Sequence, residues 1–240
     1  MTEFSKSNWA RAEFAQEYRD SAEIYVIERR RMLNILKSFY LHFLKGKKKK
    51  SILDLGCGDG ILSHELLRAD SSISVTLLDG SADMLKNAKE RLHYAENTHY
   101  IQASFQEVLR KSILERQYDF IVSSLAIHHL TLKEKKALFK KVYAHLSAGG
   151  YFINIDAVLS PAETLEQWYL SLWEEWIEEK KKTVGIAGSY FNDIIRRYKN
   201  NKDNKPDTLG DQLKALKEAG FRDVDCFYKY GIFSIYGGRK

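Results

Sequence analysis

The chain has 240 residues, 44% of them hydrophobic, and a formal charge of +6 from 38 basic and 32 acidic side chains. That length and apolar content suit one α/β domain with an insertion. Every hydrophobic stretch is too short to span a bilayer, the start Met1-Thr-Glu-Phe-Ser-Lys lacks the layout of a signal peptide, and two cysteines exclude a disulfide framework, so a soluble cytoplasmic protein with no membrane partner is expected.

In chain order, Phe14, Tyr18, Ile24, Tyr25, Met32, Leu33, Leu36, Phe39, Tyr40 and Phe43 recur at helical intervals with charges between them. They predict a helical extension over 1–46, packed on the sheet edge or the ligand mouth. Lys45 and Lys47 to Lys50 read as a solvated run before the first strand, and so modest a charge leaves nucleic acid the less favoured partner. Ile52-Leu-Asp-Leu-Gly-Cys-Gly-Asp-Gly60 is an apolar strand that runs into three alternate glycines and then into a helix from Ile61 to Arg68. Side chains are missing where backbone must touch a ligand, and a helix N-terminus follows. The spacing is G-x-G-x-G rather than the G-x-G-x-x-G of dinucleotide-binding folds, and an acid, Asp54, stands inside the strand. The next buried strand, Ser74 to Leu78, ends on Asp79. That is about twenty residues past the turn, where doubly wound folds place a carboxylate for ribose hydroxyls. Capping of a helix from Ser81 to Leu92 is the competing role.

A strand from Tyr100 to Ala103, a short helix and a strand from Asp119 to Ser124 follow. Thr131-Leu-Lys-Glu134 is a capping box for a helix that runs to Leu146 and is stopped by Gly149-Gly150; Tyr151 to Asp156 is the fifth strand. Such alternation predicts a mostly parallel sheet with helices on both faces. Then it breaks. Ser160-Pro-Ala-Glu163 reads as a capping box with proline at the first helical position, opening a helix that carries Leu165, Trp168, Tyr169, Leu172, Trp173 and Trp176 at helical spacing. An insertion over 160–206, hinged near Asn200 to Lys205, is expected to be a lid, with Tyr25, Trp168, Tyr169, Trp173 and Trp176 toward the substrate. An ordinary packed helix pair is the alternative. A helix from Thr208 to Ala219, ended by Gly220, and two strands from Asp223 and Phe233 close the chain.

Three segments carry a family resemblance: the glycine turn, Leu78-Asp79-Gly-Ser81 with Met84-Leu85, and Asp119-Phe-Ile-Val-Ser-Ser-Leu-Ala-Ile-His-His-Leu130. They resemble the first, second and fourth motifs of the class I S-adenosylmethionine-dependent methyltransferases, the small-molecule enzymes in particular. The likeness covers Ser51 to Ile155 well and the last thirty residues fairly. It implies a Rossmann-like, seven-stranded, mostly parallel sheet with a C-terminal antiparallel hairpin, a domain over 51–240, S-adenosylmethionine as cofactor, and methyl transfer to a small molecule by in-line displacement.

By the same resemblance Asp54, Gly56, Cys57 and Gly58 meet the cofactor's polar end, Asp79 and Gly80 its ribose, and Met84 its adenine. Ser104, beside Phe105, stands where relatives often have an acid for the adenine amino group, and the backbone at Ser123 faces the methionine end. Tyr18 and Tyr25 resemble tyrosines that close over the cofactor carboxylate. His128 is the residue near the expected methyl position whose ordinary pKa suits a base, against a structural role for the His128-His129 pair. The tail Phe227-Tyr-Lys-Tyr-Gly-Ile-Phe-Ser is similar to that of carboxy-S-adenosylmethionine synthases of the tRNA pathway, but Ala215 stands where their arginine is expected. Such a synthase, or a non-catalytic cofactor-binding protein, is the competing function; monomer and homodimer both stay open.

Overall fold

The computed structural model describes residues 4–46, 48–185 and 193–240. Seven strands form one sheet: β1 (Ser51–Leu55), β2 (Ser74–Asp79), β3 (Thr98–Gln102), β4 (Tyr118–Ser124), β5 (Leu146–Ala157), β6 (Arg222–Tyr230) and β7 (Phe233–Arg239). Their order is β3-β2-β1-β4-β5-β7-β6. β1 to β5 are parallel, while β7 lies between β5 and β6 and runs against both. This is the expected Rossmann-like sheet with its antiparallel hairpin. Among the described residues nine α-helices accompany it: α1 (Ala12–Tyr25), α2 (Arg29–Phe43), α3 (Ile61–Ala69), α4 (Ala82–Arg91), α5 (Phe105–Arg110), α6 (Leu132–His145), α7 (Glu163–Val184), α8 (Ile194–Asn200) and α9 (Leu209–Ala219). None is long and apolar enough to cross a membrane.

Successive residues of a strand face opposite sides, so β1 feeds two cores. Ile52 joins Leu36, Val75 and Phe120 on one face, and Leu53 joins Ile121, Leu138 and Leu216 on the other. The helical extension is part of the first core: Met32, Leu33 and Leu36 of α2 are buried in it, and the buried Tyr40 hydroxyl reaches Asp70 Oδ2 at 2.7 Å. Burying an apolar side chain of this size contributes roughly 1.5–3 kcal/mol, so residues 12–43 belong to the domain energetically.

Three local expectations need correction. α6 stops at His145, and Gly149-Gly150 lie in β5, where the pairing with β4 skips from Tyr118↔Leu146 to Phe120↔Tyr151. A bulge, with Gly149 at φ +77°, uses the glycines that the sequence offers as a helix stop. Ser160 does not cap α7; its hydroxyl accepts from the Ala162 amide at 3.3 Å in a local turn, and Ala162 takes the N-cap position without a side-chain bond. The helix also sits deep, with Leu170, Trp173 and Ile177 buried in the first core. Part of the proposed insertion, 186–192, and Lys47 of the lysine run lie outside the described residues.

Candidate cofactor and acceptor site

Two adjoining cavities open at the carboxyl ends of the parallel strands, where a doubly wound sheet places its ligands. The first is walled by the turn after β1 and the ends of β2, β3 and β4. The turn is built to expose backbone. The Gly56 and Cys57 amides donate to Leu78 O, and Gly58, at φ +53°, donates its amide to Asp79 Oδ2 at 2.9 Å. The other oxygen of Asp79 accepts from Ser81 N at 2.8 Å. Burial raises the Asp79 pKa against these backbone donors. Each oxygen keeps a second lone pair.

Asp54 is 1% exposed and lines the same cavity. Its Oδ2 accepts from Ser63 Oγ at 2.7 Å, while Oδ1 is buried with no partner. Burial, only partly opposed by the Ser63 hydrogen bonds and reinforced by Asp79 and Asp59, pushes its carboxyl up to about 7. An orphaned carboxylate oxygen is costly unless a donor arrives with the ligand. Tyr18, Gly56, Cys57, Gly80, Met84 and Phe105 also line this cavity, so the sequence-predicted set converges. Ser104 lines it too; its hydroxyl donates to Glu107 Oε2 and accepts from Glu107 N in the capping box of α5, which leaves one lone pair, beside the backbone, for an adenine amino group. Ser123 is not in the wall. Fully buried, it donates to Leu55 O at 2.7 Å, and the next residue, Ser124, lines the cavity instead.

The second cavity, of about 400 Å³, has Trp9, Phe14, Tyr18, Tyr25, Trp173 and Phe233 around it, with Glu17, Arg197 and several asparagines also in its wall. It shares Trp9, Tyr18, Val26, Leu125 and His129 with the first. Leu125 adopts a left-handed φ of +50°, a strained state for a branched side chain, and so stands between the two spaces. His128 lines the second cavity only; its Nδ1 lies 2.6 Å from Asp156 Oδ1. His129 Nδ1 faces Asp203 O at 3.2 Å, its Nε2 is buried without a partner, and burial first, then the neighbouring His128, holds its pKa well below the usual value.

The lid residues divide. Tyr25 and Trp173 reach the second cavity, with Trp173 Nε1 donating to Tyr25 O at 2.6 Å. Trp168 is 56% exposed, and Tyr169 and Trp176 pack on the first core without lining either cavity. The amphipathic stripe of α7 is therefore core on one side and surface on the other. What covers the first cavity is the N-terminal segment with Phe4, Ser7 and Trp9. The supposed hinge near Asn200 to Lys205 is tied down: Lys205 N donates to His128 O at 2.8 Å and Asn8 N to Asp203 Oδ2 at 2.9 Å. Fully buried Lys135 donates to Lys205 O at 2.6 Å and to Asp207 Oδ2 at 2.5 Å.

Breaking that last pair strands a buried ammonium. Asp207→Ala is therefore expected to destabilise by about 3 kcal/mol, and Lys135→Met by clearly less, because it removes the charge together with its need for a partner. Urea unfolding of the two variants measures the difference, and equal losses would show that the clamp carries no charge penalty. Arg29, Asp156, Trp9 and Lys205 are the site residues that sequence reasoning missed. Asp156 had a readable signal, an acid closing a buried strand as Asp79 does; the others arrive through long-range contacts that leave no local pattern.

The fit to a zwitterionic nucleoside sulfonium is good on this geometry: an unpartnered carboxylate oxygen, a ribose-side carboxylate, exposed glycine backbone, and the cations Arg29 and Lys205 among acids. Comparison with known proteins agrees. A family model described as a methyltransferase domain matches residues 52–150. Carboxy-S-adenosyl-L-methionine synthase of Nautilia profundicola is 22% identical over 210 residues, 85% of this chain and 82% of that protein. Malonyl-[acyl-carrier protein] O-methyltransferase 1 of Ilyobacter polytropus is 33% identical over 172 residues, 66% of this chain and 62% of that one. Among solved structures, magnesium protoporphyrin IX methyltransferase of Synechocystis PCC 6803 with bound SAH aligns at a TM-score of 0.63 and 14% identity, covering 97% of this chain and 95% of that one. An O-methyltransferase family protein from Burkholderia thailandensis aligns at 0.68 and 12%, and this chain spans 62% of its length.

Proposed function

We propose that this chain, which belongs to the class I S-adenosylmethionine-dependent methyltransferases, methylates a small-molecule acceptor bound in the second cavity, beside a cofactor bound in the first. The observation that carries this reading is the junction: two cavities meet along shared residues, the first with Asp54, Asp79 and glycine backbone in its wall to suit a nucleoside amino acid, the second ringed by Trp9, Phe14, Tyr18, Tyr25, Trp173 and Phe233 to suit an acceptor. When bound, the cofactor supplies an electrophilic methyl group and its own leaving group, so the protein's task is to hold, align and exclude water.

Asp54 receives the cofactor ammonium, directly or through a water, on its free oxygen. Arg29, which pairs with Glu23 at 2.7 Å and is largely buried, faces the carboxylate. Asp79 takes the ribose diol with its remaining lone pairs, and Met84 and Phe105 flank the base. Trp9 and Leu125 separate the cofactor from bulk acceptor and leave the methyl path open beside His128, the group placed to take a proton. Two free cysteines, Cys57 buried and Cys226 partly so, suit the reducing cytoplasm, where the same reading puts the protein.

Asp79→Ala tests it. Losing the acceptor for the diol is expected to weaken S-adenosylhomocysteine binding by about 1.5–3 kcal/mol, the range for hydrogen bonds to a charged group. Isothermal calorimetry on both proteins reads this, and equal affinities would sink the ribose assignment.

A second reading, synthesis of a carboxylated cofactor, is favoured by the relatives that bear that name over most of this chain's length. Position 215, where their arginine is expected, is buried in the second core among Leu216 and Phe221 and away from both cavities, so Ala215 does not argue against that reading. Mass spectrometry of the nucleoside that co-purifies with the protein distinguishes the two: the plain sulfonium or its demethylated product supports methyl transfer, and a carboxylated sulfonium supports the synthase.

A further inference from the structure

Behind the aromatic cavity runs a chain of buried polar groups that cofactor binding does not use. Asp156 is 2% exposed at the end of β5. Its Oδ1 accepts from Ala157 N at 3.0 Å and faces His128 Nδ1 at 2.6 Å, and its Oδ2 accepts from Asn154 Nδ2 at 3.2 Å. Asn154 Nδ2 also reaches the hydroxyl of buried Tyr236 at 2.7 Å. Both the backbone and the amide partner of Asp156 are N–H donors. In the neutral tautomer that donates from Nδ1 to this carboxyl oxygen, Nε2 of His128 is the ring's acceptor, on a residue that lines the second cavity. His129 does not substitute, since its Nε2 has no accessible surface.

We propose that the acceptor is a hydroxylated aromatic compound, a phenol in the broad sense, stacked among the rings of the second cavity with its O–H on His128, and that Asp156 is the positioning residue that makes His128 a base. This rests on the reading of the first cavity as the cofactor site. The rings that would hold a planar guest are themselves fixed: Trp173 meets Phe233 and Tyr198 edge-on at 5.5 and 5.4 Å, and Tyr18 meets Tyr25 and Trp9 at 5.9 and 5.0 Å. A carboxylate acceptor needs no base, whereas His128 stands at this cavity; the guanidinium there, Arg197, pairs with Glu17 at 2.7 Å in a partly exposed contact. An aliphatic alcohol is too weak an acid for imidazole to help much, whereas a phenol lies within its reach. In the transfer, Nε2 takes the phenolic proton as an oxygen lone pair forms the new O–C bond to the cofactor methyl. The C–S bond breaks with its electron pair left on sulfur, and the imidazolium, steadied by Asp156, later gives its proton to solvent.

The test uses the whole protein saturated with S-adenosylhomocysteine and titrated with para-nitrophenol at slightly acid pH, where the free probe is colourless. The yellow phenolate band is expected to appear on binding, to vanish in His128→Gln, and to fall at least tenfold in Asp156→Asn, which changes the favoured tautomer. A merely structural Asp156 would leave the band of the folded variant intact. Independently of any variant, the wild type with S-adenosylmethionine is offered a phenol, the matching cyclohexanol, a benzoate and an aniline, and transfer to the phenol alone is expected. If S-adenosylhomocysteine binds but the band is missing, or the benzoate or aniline is the better acceptor, the acceptor class is wrong while the methyltransferase reading stands. Failure to bind S-adenosylhomocysteine would overturn both.

Discussion

Gly58→Val is expected to yield a folded protein that no longer binds the cofactor or its product. Gly58 sits at φ +53°, and an ideal Cβ built on it meets no heavy atom within 4 Å. That space is the first cavity, so a branched side chain would stand where ligand must lie. The backbone strain is only about 1–2 kcal/mol, which a domain of this size tolerates. Gly56 makes the contrast. At φ +66°, its Cβ would fall 2.5 Å from Ala126 Cβ and 3.1 Å from the Phe105 ring, inside packed protein rather than open space. Gly56→Ala should therefore lower the melting temperature by several degrees, while Gly58→Val does so less and abolishes binding. Thermal melts paired with calorimetry separate the two. Retained affinity in Gly58→Val would mean that this turn shapes the fold and does not touch the ligand.

The parts of the site that were legible in the sequence are those whose cause is local. A glycine turn after a buried strand, and acids at Asp54 and Asp79, are forced by how backbone meets ligand over a few residues. Residue parity was harder: Ser123 and Ser124 face opposite sides of β4, and a one-residue difference decides which lines the cavity. The α7 stripe shows the deeper limit. Periodicity marks an apolar face but not whether core or ligand will cover it, and Trp173 is fixed by a bond to Tyr25 O, 148 residues away. Phe4 lies against Gly80, where an added Cβ would come within 2.7 Å of its ring, yet a single aromatic in a short N-terminal turn carries no signal of that contact. Asp156 is of a third kind, legible as an acid at a strand end but without meaning until the fold brings His128 to it.

The cofactor-free protein should lose stability as pH rises toward neutrality, and cofactor binding should tighten over the same span with release of a proton, both through Asp54. Burial raises this carboxyl from 3.8 to about 7, with the Asp79 and Asp59 charges adding to the effect. Between those values the folded state holds a proton that the unfolded state has lost, so unfolding releases it and stability falls with rising pH. Three units at 1.36 kcal/mol each make the full penalty about 4 kcal/mol, complete once pH exceeds the folded pKa. The cofactor ammonium reverses the preference by giving the unpartnered Oδ1 a charged donor. Affinity should then climb close to tenfold per pH unit below neutrality and flatten above it. Asp54→Asn removes the titrating group while keeping the shape and the Ser63 hydrogen bond, so the difference between wild type and variant isolates its share from every other carboxylate. Calorimetry in buffers of unlike ionisation enthalpy counts the released proton, and urea unfolding across the acid range follows the stability. If wild type and Asp54→Asn show the same pH slope of affinity and the same proton count, Asp54 does not receive the ammonium, and the polar end of the cofactor lies elsewhere in the cavity.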